Sequence, residues 1–138
     1  YNNNRENSFE NSFVTGTVSK VRKEDGLSEL SIGKQKLLIF TNSFKIGSNV
    51  LVKIKSSDII LSKCQPRNLS SLNFIKVRIK DIKEEKYLTC LFLNFEKGLL
   101  KAHITKTSFI KMNLKKNEFC YALIKAINVN DFLDISLV

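Results

Sequence analysis

The chain has 138 residues, 43% hydrophobic and 26% charged, which suits one compact domain or two very small ones. Lys plus Arg number 23 against 13 Asp plus Glu, and the net +10 can attract phosphates or an acidic surface. The longest apolar run, residues 119–124, is far short of the ~20 that span a bilayer, so an integral membrane protein is not expected, nor a collagen or a coiled coil.

Residues 1–12 are polar and read as a flexible lead-in without the apolar segment of a signal peptide. The start at Tyr1 rather than Met suggests a piece of something larger. From Phe13 onward, short strands alternate with turn residues at the spacing of an all-β sandwich or barrel. Residues 13–62 predict strands at 13–22, 27–32, 36–41, 49–55 and 59–62, with turns at Glu24-Asp25-Gly26 and at Gly33. In the fourth strand Val50, Val52 and Ile54 face one way and Leu51, Lys53 and Lys55 the other. Residues 63–69, containing the only proline, Pro66, read as a connector. Residues 70–138 predict strands at 73–82, 87–94, 99–104, 118–126 and 134–138. One helix is expected between Ile104 and Glu118, with Thr105 as N-cap and Phe109, Ile110, Met112 and Leu114 as its apolar stripe.

Cys64, Cys90 and Cys120 are odd in number, far apart and free of any C-x-x-C, so neither a disulfide framework nor a zinc site is indicated and a reducing, cytosolic setting fits. The excess of positive charge is nearly all lysine, scattered along strands and turns, and most of the phenylalanines fall at core-like positions. Clustered arginines and surface aromatics, the footprint of a nucleic-acid binder, are therefore not expected.

The two halves repeat each other. Residues 45–55 lie over 115–125, so that Val52 meets Ala122, Ile54 meets Ile124 and Lys55 meets Lys125. Val14, Gly16 and Val18 match Ile75, Val77 and Ile79, and the pair Leu37, Leu38 is set against Leu99, Leu100. Two barrel-like repeats of about 60 residues result, a size that is marginal alone and favours pairing within and between chains.

The second half carries a resemblance. Ser70-Ser71-Leu72-Asn73 resembles the T-S-x-R-N opening of the Mop-type oxyanion-binding repeat, and Lys101-Ala102-His103-Ile104-Thr105-Lys106-Thr107-Ser108 its A-R-I-T-x-x-S segment before a short helix. Residues 112–117 stand where that family has a Leu-Gly-Leu-x-x-Gly turn, and Ala122-Leu123-Ile124-Lys125-Ala126-Ile127 resembles its A-x-I-K-A/S-V strand. With the first half included, the order is similar to the TOBE/di-Mop accessory region of a molybdate importer's ATP-binding subunit.

The resemblance implies an all-β fold of two tandem OB-like five-stranded barrels with one short helix. It implies a cytosolic oxyanion-binding and regulatory domain for molybdate or tungstate, held by Ser70, Thr105, Ser108, Lys125 and, through its backbone, Ala126, with Ser71 as a neighbour that can substitute. It further implies a homodimer whose sites draw on both chains, an upstream ATP-binding domain and a membrane permease as partners, and a place in the cytoplasm at the inner face of the membrane. No catalytic residue, metal or cofactor is expected, and no G-x-x-x-x-G-K-[ST] phosphate loop occurs in these residues.

Elementary chemistry is compatible with such a site. A tetrahedral dianion only accepts hydrogen bonds, and it needs converging N–H and O–H donors with little competing negative charge. Three departures bear on affinity: Leu72 replaces the family's Arg, His103 replaces another Arg, and Asn117 replaces a Gly. Each residue also has a plainer role open to it. Thr105 and Ser108 can simply cap a helix, Lys125 can be a solvated strand end, and the single His103 has no triad partner. Alternatives are a free-standing Mop-like protein that stores or buffers molybdate, and an OB-like nucleic-acid binder. An enzyme is the weakest reading.

Overall fold

The computed structural model describes residues 10–68, 72–96 and 98–136, with Leu72 through its backbone alone. The strands are β1 (Asn11–Arg22), β2 (Leu27–Ile32), β3 (Gln35–Ile39), β4 (Asn49–Lys55), β5 (Ile60–Ser62), β6 (Leu72–Glu84), β7 (Leu88–Phe95), β8 (Gly98–Thr105), β9 (Phe119–Lys125) and β10 (Asp131–Asp134). The helix, α1 (Lys106–Met112), lies between β8 and β9, and a single 3-10 turn follows β4 (Ser56–Asp58) and β9 (Ala126–Asn128). The alternation expected of β4 is present, with Val50, Val52 and Ile54 in the core.

Two five-stranded antiparallel sheets form, in the orders β10-β4-β1-β2-β3 and β5-β9-β6-β7-β8. Each therefore takes its short outer strand from the other repeat. The 3-10 turns explain the exchange. Ile59 N–H donates to Ser56 O (3.4 Å) and Val129 N–H to Ala126 O (3.0 Å), and both Ile59 and Val129 are buried. The chain thus dives from its own sheet through the shared core and emerges beside the other. Phe40 N–H donates to Val129 O (2.9 Å), bringing the end of β3 to the segment before β10 and curling the first sheet toward closure.

The repeats are equivalent in detail. The long first strand of each carries a bulge, between Val18 and Lys20 and between Ile79 and Asp81. Gly47 N–H donates to Val18 O (2.8 Å) and Asn117 N–H to Ile79 O (2.7 Å), both from left-handed turns at φ 92° and 73°. Asn is among the few side chains that tolerate this region, so the loss of the family's glycine at position 117 keeps the turn.

Two expectations need correction. Leu37 is equivalent to Leu100, and Leu38 to Lys101, because Leu37 and Leu100 are the buried members of each strand; the pairing of Leu37, Leu38 with Leu99, Leu100 was one residue out of step. The last strand is Asp131–Asp134 rather than 134–138, of which 137 and 138 lie outside the described residues. Its Asp-Phe-Leu-Asp has too few apolar residues to read as a strand, and pairing with β4 decides it.

One hydrophobic cluster runs through both halves, from Val14 to Val129. Side chains stitch the sheets together at equivalent places. Asn73 Oδ1 accepts from Leu38 N–H (2.7 Å) while its Nδ2 donates to Leu38 O (2.9 Å). Ser12 Oγ accepts from Lys101 N–H (2.7 Å). Gln35 bridges to Lys76 in the same two-handed way, donating to its O (3.0 Å) and accepting from its N–H (2.9 Å).

Candidate functional site

Thr105 ends β8 and caps α1, its Oγ1 accepting from Ser108 N–H at 3.1 Å. It also donates to Ser108 Oγ at 3.0 Å, so the two hydroxyls expected to face a ligand are engaged with each other as a cap. The helix is short and its residues are not buried, although Phe109 and Met112 pack partly on the core. Ile110, expected on the apolar stripe, is 65% exposed. At its C-terminus Asn113 takes the left-handed conformation (φ 52°) and returns its N–H to Phe109 O and Ile110 O, both at 3.2 Å. Lys63 Nζ, from the connector, donates to Asn113 O (3.2 Å) and pairs with Glu118 (3.3 Å), fixing where β9 begins.

Lys125 is exposed at the end of β9, and Ala126 is buried at the start of the following turn, its carbonyl already accepting from Val129 N–H. Ser70 and Ser71 lie outside the described residues. The strand that follows them begins with Leu72, directly across from Lys125. His103 is half-buried on β8 opposite Cys90.

Strand register separates these residues into two groups. Lys125 pairs with Leu72 at the first residue of β6. Thr105 pairs with Leu88, next to Thr89, which pairs with Glu84 at the last residue of β6. The 13 residues of β6 intervene, about 40 Å of contour at about 3.3 Å per residue. Within one chain, the Thr105–Ser108 pair and the Lys125–Ala126 pair lie at opposite ends of this strand.

The outer face of β5, β9 and β6 is what the sequence reading missed. Ile60, Phe74 and Phe119 are 58%, 47% and 56% exposed. Tyr121 is half-buried and meets Phe74 edge-on at 6.5 Å. Lys76 Nζ stands 5.1 Å over the Phe119 ring, and Arg78 donates to Asn117 Oδ1 at 3.2 Å. The expectation that most phenylalanines sit in the core is therefore wrong: among those described, Phe95 alone is buried. Alternation held the signal, because Phe119, Tyr121, Leu123 and Lys125 share a parity opposite to Cys120, Ala122 and Ile124. The core side is dry enough that burial pushes the Cys120 thiol up to about 11, and Cys90 likewise to about 11. Among the described residues, no group of His, Cys, Asp and Glu is placed to hold a metal ion.

Comparison with known proteins now adds to this geometry. Residues 69–130 match the model of the TOBE domain. That stretch is the second repeat, which is thus similar to a TOBE domain. Around it, the chain is 25% identical over 122 residues to the molybdenum import ATP-binding protein ModC of Aliivibrio fischeri, covering 84% of this chain and 34% of that protein. It is 26% identical over 103 residues to the ModC of Pasteurella multocida, covering 75% and 29%. The chain thus spans about a third of the length of the curated relatives it matches. The crystal structure of the cytoplasmic molybdate-binding protein ModG with molybdate bound aligns at a TM-score of 0.74 and 23% identity, over 85% of this chain and 92% of that one. That likeness establishes the fold as OB-like. No helix among the described residues is long and apolar enough to cross a membrane.

Proposed function

We propose that this chain is the cytosolic accessory domain of a molybdate importer's ATP-binding subunit, binding a tetrahedral oxyanion and passing its presence to partner domains. One observation carries the reading: relatives that match across most of the chain are molybdenum import ATP-binding proteins, and the chain covers about a third of their length. ATP hydrolysis then belongs to an upstream domain, and the permease is a partner of the whole subunit.

The oxyanion, molybdate or tungstate, is held by hydroxyls and N–H groups at Thr105 and Ser108 and by the Lys125–Ala126 strand end, with Ser70 or Ser71 beside the latter. The placement of these residues at opposite ends of β6 supports a homodimer in which each site takes one group from each chain. For an anion, the Thr105–Ser108 hydroxyl contact would open, and its Oγ–H groups would turn outward to donate.

A second reading, a free-standing molybdate store, is favoured by the near-complete coverage of ModG. Reading the gene upstream separates the two: a Walker A-containing domain supports the importer, and a start codon next to Tyr1 supports the store. Calorimetry of this chain with molybdate, tungstate and sulfate tests both. Heat with molybdate or tungstate is expected, and none with any of the three overturns an oxyanion role.

A further inference from the structure

We infer that the first repeat carries a ligand pocket where β1 parts from β2, and that it binds a small aromatic ring through a carboxamide edge. The ligand class is a planar ring bearing a primary carboxamide, or a lactam whose N–H and C=O share one edge. The inference stands apart from the oxyanion reading and concerns a different place in the fold.

It comes from a broken equivalence between the repeats. In β6 the backbone of Ile79 turns toward the β9 side, accepting from Asn117 N–H and donating to Glu118 O. Neighbours along a strand alternate in direction, so Lys76 turns its N–H and C=O the other way. There the Gln35 carboxamide closes both groups, donating to Lys76 O at 3.0 Å and accepting from its N–H at 2.9 Å. In β1, Val18 takes the place of Ile79, accepting from Gly47 N–H and donating to Ser48 O. Thr15 is therefore the equivalent of Lys76, and its N–H and C=O also turn away from β4.

Counted from the buried pair Leu37 and Leu100, the equivalent of Gln35 is Gly98. A glycine has no side chain to reach back. Strand β2 cannot serve either, because its pairing with β1 stops at Thr17 opposite Ser31. Among the described residues, no side chain takes the part of Gln35 at Thr15. A cavity of about 540 Å³ opens at this place, lined by Thr15, Gly33 and Gly98 and walled by Phe13 and Phe95. That is the volume of a small-molecule site. Phe95 is buried and Phe13 is 60% exposed, so one ring is fixed in the wall and the other stands at the rim, free to stack.

The chemistry of the ligand follows from Gln35, which shows what fits: one planar edge that donates and accepts at once. A trans peptide bond holds its N–H and C=O on opposite sides and cannot do this. A primary carboxamide or a ring lactam can. An added β-strand finds too short an edge, since Ser12, three residues before Thr15, is already tied to Lys101 N–H at 2.7 Å.

Titration of benzamide into the isotope-labelled whole chain, followed through its amide resonances, tests this beside N-methylbenzamide, whose trans amide lacks the two-sided edge. Benzamide should shift the Thr15, Gly33 and Gly98 amides in the millimolar range. N-methylbenzamide should bind about tenfold more weakly, the effect of one lost hydrogen bond. Gly98→Gln supplies the carboxamide from the chain itself. Gly98 has no left-handed φ, and a Cβ there meets the Phe95 ring at 3.0 Å, so that ring must give way. The variant, shown to be folded by circular dichroism and melting, should lose benzamide binding by tenfold or more. The two amides decide on the wild type alone if Gly98→Gln does not fold. Equal binding of the two amides, shifts that map away from Thr15 and Gly98, no shifts up to the solubility limit of benzamide, or a folded Gly98→Gln that still binds would each overturn the inference. None of these outcomes bears on the calorimetric heat with molybdate, which tests the oxyanion reading separately.

Discussion

Asn73 and Ser12 sit at equivalent positions of the two repeats, and each ends a search by a strand-edge N–H for a partner. Asn73 is 5% exposed and satisfies both Leu38 groups, so Asn73→Ala strands a buried donor and a buried acceptor. Each such group costs about 1–3 kcal/mol, and a loss of about 2–4 kcal/mol is expected in urea unfolding. Position 72 is the other decisive residue. Leu72→Arg restores a charge-assisted donor of about 1.5–3 kcal/mol at the Lys125 end, and calorimetry should read molybdate binding tightened by about tenfold or more. The thiols make a third case. Cys64 is exposed while Cys90 and Cys120 are buried, so a thiol reagent at pH 8 should modify one cysteine in the native protein and the others only after unfolding. Their sign with pH follows. Burial raises both thiols from 9.0 to about 11, so the unfolded chain ionises first. Stability held below pH 9 should fall as pH rises toward 11, which melts taken in that range would reveal.

At the scale of elements, α1 depends on its ends more than on its face. Thr105 and Asn113 supply the caps, while the helix buries no residue completely. Thr105→Ala should therefore cost about 1 kcal/mol in urea unfolding, and the loss should be local, with faster amide exchange in residues 106–112. If Thr105 also meets the anion, the same variant weakens molybdate binding. The exposed ends of β10 and β5 behave differently. β10 pairs with β4 and its Phe132 ring meets Phe44 edge-on at 5.3 Å, so a four-residue strand is held by a partner from the other repeat.

Across the whole molecule the exchange makes two repeats into one cooperative unit. Neither sheet keeps all five strands without the other repeat, and the core cluster is continuous. Fluorescence, far-ultraviolet dichroism and amide exchange in either half should report one unfolding transition with one midpoint. Separate midpoints for probes in the two sheets would contradict the shared core. A residue range cut at the connector should not fold as a closed barrel, because β5 and β10 would each be stranded from the sheet they complete.

Strand spacing, the helix after Ile104 and the equivalence of Val52 with Ala122 were all legible in the sequence, because each rests on local alternation, capping or turn chemistry within a few residues. So was the left-handed turn at Asn117, since its place in the repeat matches Gly47. What the chain could not announce was long-range. The fifth strands carry too little pattern to say which sheet they join, and only the buried 3-10 turns send them across. The aromatic face was hidden for a related reason. Residues 119–124 read as an unbroken apolar run, yet a strand shows one parity to the core and the other to solvent, and only the packed neighbours decide which is which. The candidate site divides in the same way: residue types picked out Thr105, Ser108 and Lys125, whereas only the register of β6 placed them at opposite ends of a strand.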